Sequence, residues 1–181
     1  PTASGKTVLM VELLARLPGA VRFVTTTTRT PRPGEKEGVD YFFVSRQRFE
    51  EGIRSGDFLE YVEVHGNLYG SSRREVTLAL QMAGIVLAVF DVRGAHTLKK
   101  MDPSVRTLFL RPGSLTELER RLRAERVGIS SDEISIRLET AERELALADT
   151  FDRVIENVDG QFESTVLQAL AFVHESTAAR A

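Results

Sequence analysis

The sequence predicts an α/β protein with a mainly parallel core sheet flanked by helices on both faces. Three observations point there. Short apolar, strand-like runs alternate with amphipathic helical stretches along the chain. Ser-x-x-Glu capping signatures stand at Ser72, Ser114 and Ser130. An apolar run, 85–90, leads into a carboxylate, Asp91, as expected of a strand that delivers an acid to the carboxyl edge of an open sheet. At 181 residues, 42% hydrophobic and 28% charged, the chain is long enough for one core and short for two, so one domain is expected.

In order along the chain, Val8, Leu9, Val11, Leu13, Leu14 and Leu17 form an apolar helix that stops at Pro18 and Gly19, and 21–25 comes next as a buried strand. Residues 28–40 hold two prolines and two glycines without a period, which marks a long loop of the kind that binds a ligand. A short strand at 41–44, a helix set by Phe49 and Ile53, and an alternating strand at 58–64 make a half-exposed β insert. Ser72 and Glu75 open a helix to Ala83, before the strand 85–91. A helix at 94–100, a strand at 105–110, a helix capped at Ser114, and a helix from Ser130 to about Asp149 come after it; Ile134, Leu138, Ala141, Leu145 and Ala148 line one face of the last. The final pair is a strand at 153–157 and a helix at 162–173. The first residues read as a loop that succeeds a strand, so the chain is expected to lack that strand.

The charge balance, 24 Lys+Arg against 26 Asp+Glu, offers no basic field for nucleic acid, so an anionic ligand must be met locally. The longest apolar run, 85–90, is far below the ~20 residues of a membrane span. The absence of cysteine excludes a disulfide framework and a thiolate metal site, and fits a reducing, cytoplasmic compartment. His65, His96 and His174 are too scattered to bind a metal.

Two constellations carry chemistry. Ser4, Gly5, Lys6 and Thr7 running into a helix match the second half of G-x-x-x-x-G-K-[ST], the phosphate-binding loop. In that reading the backbone of Thr2, Ala3, Ser4 and Gly5 faces phosphate, Lys6 reaches the β/γ oxygens, and Thr7 ligates Mg2+. A bare Gly-Lys-Thr also opens ordinary helices, so this fragment alone leaves both readings open. The second constellation is Arg29 and Arg32 in the proline-stiffened loop with Tyr41, a set able to wrap a phosphate dianion. Each arginine alone is as well explained as a solvated surface charge, and Glu60 alone as an exposed residue of an alternating strand.

Taken together, Thr28-Arg29-Thr30-Pro31-Arg32, Gly34-Glu35, Gly38 and Asp40-Tyr41 closely resemble the GMP-binding segment of guanylate kinases, and Gly56, Phe58, Glu60, Tyr61, His65, Tyr69, Gly70 and Ser71 continue it at family-like spacing. The resemblance covers nearly the whole chain. It implies a P-loop kinase that transfers the γ-phosphoryl group of Mg2+·ATP to GMP, in one domain with a core of 1–24, 84–122 and 138–181, a mixed-β GMP-binding insert at 25–83 and a short helical lid at 123–137. It further implies Thr25, Arg29, Arg32, Tyr41, Glu60, Tyr69, Ser71 and Asp91 on the GMP side, and Asn157 lining the adenine pocket. By the same resemblance, Lys6, Arg29, Arg126 and Arg137 act on the transferring group. One extra residue between Arg121 and Arg137 leaves either Arg126 or Glu125 for one lid position. The family's D-x-D run is departed from at Val89, which stands where the first Asp is usual, and Arg93 stands for a Gln. The alternative the resemblance carries is a catalytically weak guanylate-kinase-like binding module.

Overall fold

The computed structural model describes residues 1–125 and 129–178. They gather into two compact units, one of 1–17 with 103–178 and one of 18–102.

In the first unit, α1 (Lys6–Arg16) buries Leu9, Met10 and Leu13, and its Arg16 reaches Glu163 at 2.6 Å on α7 (Phe162–Ala178). Strands β7 (Leu108–Pro112) and β8 (Arg153–Asn157) pair in parallel, from Leu108 opposite Arg153 to Pro112 opposite Asn157. Helices α5 (Leu115–Glu125) and α6 (Ser131–Leu145) meet through Leu118, Leu122 and Ala141, with Leu115 and Leu138 packed against them. Both helices open as the capping signatures predict: the Glu117 N–H donates to Ser114 Oγ at 3.0 Å and the Glu133 N–H to Ser130 Oγ at 3.1 Å.

In the second unit, β1 (Ala20–Arg22) pairs in parallel with β6 (Ile85–Leu87). A mixed sheet runs in the order β3 (Phe42–Phe43), β2 (Thr26–Thr27), β5 (Asn67–Ser72), β4 (Phe58–Val64). Helix α2 (Arg46–Ser55) packs on it: Phe49 is buried and stacks on Phe58 with ring centroids 4.2 Å apart. Helices α3 (Arg73–Met82) and α4 (Val92–Met101) complete the unit. Among the described residues, parallel pairing is present in both units, as β7 with β8 in the first and as β1 with β6 and β2 with β3 in the second. Among the described residues no helix is long and apolar enough to cross a membrane.

Several boundaries differ from the sequence reading, each for a local reason. The strand at 21–25 is shorter and half-buried at 20–22, although the Phe23 N–H still reaches Leu87 O at 2.7 Å. The strand at 85–91 stops at Leu87, because Asp91 caps α4, accepting from the Gly94 N–H at 2.7 Å. The strand at 105–110 is shifted to 108–112, because the Thr107 N–H and hydroxyl both go to the Asp152 carboxylate, at 2.7 and 2.9 Å. Ser72 holds the N-cap position of α3 without a side-chain cap bond, so that box is in place but unmade. Helix α6 ends at Leu145, and Ala148 lies in a separate 3-10 turn, Ala148–Thr150.

The packing around Gly70 in the second unit leaves no room for a side chain. A Cβ there would stand 2.9 Å from both the Phe49 and the Phe58 rings and 3.0 Å from Glu60 O. Gly70→Ala therefore overpacks a stacked aromatic pair against fixed backbone. We expect it to destabilise the protein by about 1–3 kcal/mol, read as a lowered urea midpoint with unchanged slope.

Candidate active site

Two groups of residues carry the chemistry expected from the sequence, one in each unit. In the first unit, the chain enters α1 through a tight loop in which Ala3 (φ 51°) and Gly5 (φ 93°) both lie in the left-handed region. Gly5 precedes α1 with no side-chain cap, and the first turn of the helix carries no acid. The leading amides of α1 thus keep their capacity for an anion. The loop's carbonyls are engaged: Pro1 O accepts from Ser4 Oγ at 2.9 Å and from Lys6 Nζ, Ser4 O accepts from Asn157 Nδ2 at 2.9 Å, and Gly5 O accepts from the Leu9 N–H at 2.9 Å. Thr7 is exposed on the first helical turn; Thr2 and Ala3 are half-buried.

Asn157, expected on the adenine side, is 6% exposed and bonded to the loop. Arg121 is held by Glu117, by Asp159 at 2.8 Å, and by Asn157 O at 2.8 Å. Arg137 pairs with Glu133 one turn back at 2.6 Å. Arg126 lies outside the described residues, as does the side chain of Glu125, and with them the choice of lid residue.

The second unit brings together most of the residues expected around the other nucleotide. Register places Glu60 opposite Ser71 across β4 and β5. Ser71 Oγ donates to Glu60 Oε1 at 2.6 Å, with Glu60 5% exposed and Ser71 fully buried. Burial pushes the Glu60 carboxyl above its ordinary range, the nearby Asp91 adds to the rise, and the Ser71 bonds only partly offset it. Gly94 lies between these carboxylates: a Cβ there would sit 3.0 Å from Asp91 Oδ1 and 3.5 Å from Glu60 Oε2.

Arg29 rests over the Tyr41 ring at 5.2 Å and the Phe43 ring at 5.8 Å, and it pairs with Glu35 at 2.7 Å. Burial disfavours the Arg29 charge, but the bond and charge of Glu35 outweigh it and hold the guanidinium above its ordinary value. Burial likewise raises Glu35, and the Arg29 bond with the Arg32 N–H at 2.7 Å brings it below the usual carboxylate range. Tyr41 packs against Tyr69 at 6.0 Å, and burial raises its phenol. Thr25 is buried, and its carbonyl accepts from the Phe42 N–H at 2.9 Å; the Arg32 side chain is exposed. Sequence reasoning left Glu35 and Gly94 without roles. An acid three residues after Arg32, in a loop built for an anion, was the available signal for Glu35; for Gly94 there was none.

A cavity of about 430 Å3 in this unit is lined by Thr26, Phe42 and Ser72, which alternate away from Glu60 and Ser71. The candidate site lies elsewhere, because neither the buried carboxylate nor the Arg29 cluster lines that cavity.

A glycine turn feeding an uncapped helix in one unit, and in the other an arginine held by an acid and a buried carboxylate held by a serine, mark a nucleotide-binding α/β protein of the phosphotransferase class. The guanylate kinase family model matches residues 1–175. A guanylate kinase of a Nostoc species is 42% identical over 94% of this chain and 83% of its own length, and one of Chlamydia trachomatis is 41% identical over 97% and 85%. The crystal structure of guanylate kinase from Anaplasma phagocytophilum superposes with a TM-score of 0.77 at 30% identity, covering 94% of this chain and 81% of that one. The chain belongs to the guanylate kinase family.

Glu60 carries a stability cost that the ligand-free protein bears. Its folded pKa is raised above the ordinary glutamate value of 4.5, so the stability it contributes is present below that value and is lost as pH rises through the raised one. Glu60→Gln, neutral at every pH, is expected to match the parent in acid and to melt higher near neutrality. Thermal melts of both proteins across that range check the sign.

Proposed function

We propose that the chain transfers the γ-phosphoryl group of ATP to GMP, giving ADP and GDP, in the cytoplasm, with 25–83 as the GMP-binding insert, 123–137 as the lid and the remaining residues as the core. The observation that carries the base choice is the buried Glu60–Ser71 pair beside Asp91. Guanine presents donors at N1 and the 2-amino group next to the O6 acceptor. Glu60 accepts the two donors, and the Ser71 hydroxyl turns from Glu60 to O6. Adenine offers no donor at N1, so it would leave the carboxylate desolvated and unpaired. Arg29, Arg32 and the Tyr41 hydroxyl bind the monophosphate, Tyr69 closes the ring cluster, and Thr25 lies on the same side. Asp91 orients the base side through its position beside Glu60.

On the ATP side the amides of residues 2–7 receive the phosphates, and Lys6 exchanges its bond to Pro1 O for a β/γ oxygen. A GMP phosphate oxygen attacks the γ-phosphorus, the bond to the β-γ bridging oxygen breaks, and ADP leaves with that electron pair. Lys6, Arg29 and Arg137 neutralise charge that builds on the oxygens in transit, as would Arg126. The exposed Thr7 hydroxyl at the first turn of α1 is an oxygen donor of the kind Mg2+ takes, so Thr7 would hold the ion when it is bound. The ion would supply neutralisation of phosphate charge. The binding-module alternative finds no support in the relatives, which bear the name guanylate kinase, nor in the loop, which keeps Gly5, Lys6 and Thr7.

The test is ADP formation from Mg·ATP with GMP, AMP, UMP or no acceptor. Turnover that depends on GMP alone is expected; equal turnover with AMP, or none with GMP, overturns the reading. Lys6→Met should lower kcat by roughly 10²–10³-fold and leave GMP binding intact. Glu60→Gln should raise the KM for GMP by about 10–100-fold with a smaller effect on the KM for ATP. Because Glu60 must be ionised to accept two donors, GMP affinity should fall as pH drops through its raised pKa; calorimetric titration at several pH values reads this directly, and a flat profile counts against the role.

A further inference from the structure

We propose that Asn157 and Thr165 are positioning residues for the phosphate-binding loop, acting on the polyphosphate of the ATP-side ligand through that loop and not on its base. The inference rests on the proposed kinase activity for what the loop binds, and on separate geometry for how the loop is held.

Asn157 ends β8 and is almost wholly buried. Its Nδ2 donates to Ser4 O at 2.9 Å. Gly5 sits so close to the amide that a Cβ would be 2.5 Å from Nδ2. On the other side, Asn157 Oδ1 faces the Thr165 hydroxyl at 3.5 Å, and that hydroxyl donates to Glu156 O at 3.0 Å. Ser4 O fixes the amide donor toward the loop, and on the acceptor side stands the Thr165 hydroxyl, whose one proton is shared between Glu156 O and the more distant Asn157 Oδ1. Asn157 O accepts from Arg121, so the residue is engaged at its backbone as well.

The loop needs such a hold. It places two residues at positive φ, one of them the non-glycine Ala3 at 51°, a conformation that persists only where its surroundings impose it. Fastening the Ser4 carbonyl fixes the orientation of the peptide joining Ser4 to Gly5, whose amide belongs to the face offered to phosphate. A side chain 6% exposed, with one amide N–H on the loop carbonyl and its oxygen toward Thr165, is spent chiefly on holding the loop. Its effect on a ligand must therefore be common to every polyphosphate the loop accepts, whatever base is attached.

The experiment measures equilibrium binding of ATP, UTP and inorganic tripolyphosphate to the full chain and to Asn157→Ala, Thr165→Val and Thr165→Ser, with GMP binding alongside. Asn157→Ala is expected to weaken all three polyphosphates in parallel, by roughly tenfold. Thr165→Val should show the same pattern to a smaller extent, Thr165→Ser should restore parental affinity, and GMP affinity should not change. A loss confined to ATP, with tripolyphosphate unaffected, would assign Asn157 to the base and overturn the proposal; so would parental affinity in both Asn157→Ala and Thr165→Val. If Asn157→Ala does not fold, the Thr165 pair decides, since valine keeps the shape and loses the hydroxyl while serine keeps the hydroxyl. Failure of the kinase reading is seen separately, as absence of GMP-dependent turnover in the unaltered chain.

Discussion

A loop that turns its amides toward an anion must find partners for its carbonyls elsewhere, and in this protein the first unit is organised around that constraint. Pro1 O, Ser4 O and Gly5 O are each taken by a group of the same unit: the Ser4 hydroxyl and Lys6, the Asn157 amide, and the Leu9 amide of α1. The positive φ of Gly5 makes the turn, and its missing Cβ admits the Asn157 side chain. The apolar face of α1, with Leu9, Met10 and Leu13 buried, anchors the chain immediately after the turn. An uncapped helix start would otherwise be a defect costing about 1 kcal/mol; in the proposed function it is where phosphate would bind.

The second unit applies the same logic to charge. Arg29 is flanked by Tyr41 and Phe43, bonded to Glu35, and set in a loop that Pro31 and Pro33 stiffen. Its guanidinium is oriented before any phosphate arrives, which lowers the ordering cost of binding. Glu60 is the counterpart with the opposite sign: a carboxylate held in a buried site where the hydroxyl and backbone bonds of Ser71 do not fully compensate its desolvation. A ligand that brings two donors relieves that cost, and a ligand that brings none cannot. In the proposed function, discrimination would come from that difference in desolvation cost.

Much of this was legible in the sequence where local chemistry decides the outcome. The caps at Ser114 and Ser130, the strand Arg153–Asn157, and the alternating strand that carries Glu60 rest on short-range patterns that the fold leaves intact, whereas β5, which sets Ser71 opposite Glu60, was not legible as a strand. Strand ends were legible only roughly, because distant side chains compete for them. Asp152 takes the donors of Thr107 from 45 residues away, and Asp91 is drawn into capping α4. Ser72 shows the converse, a correct pattern whose bond is not made. The contact of Asn157 with Ser4 spans 153 positions, and no local period could have announced it.

With a net charge of −2 the protein has no long-range attraction for nucleotides, so its arginines act at contact distance, and their present partners determine how readily each can be recruited. Arg137 and Glu133 form an i,i+4 pair whose acid is 45% exposed, a class of interaction worth about 0.3–0.5 kcal/mol. A triphosphate oxygen outcompetes such a partner easily, and the glutamate returns to water at little cost. Arg29 and Glu35 are both half-buried, and Glu35 also accepts the Arg32 N–H, so the pair is more firmly held than the one at Arg137 with its more exposed acid. In the proposed reaction Arg29 would meet phosphate with Glu35 still attached, as a fixed fork offering its remaining donors, while Arg137 would meet it by exchanging one anion for another.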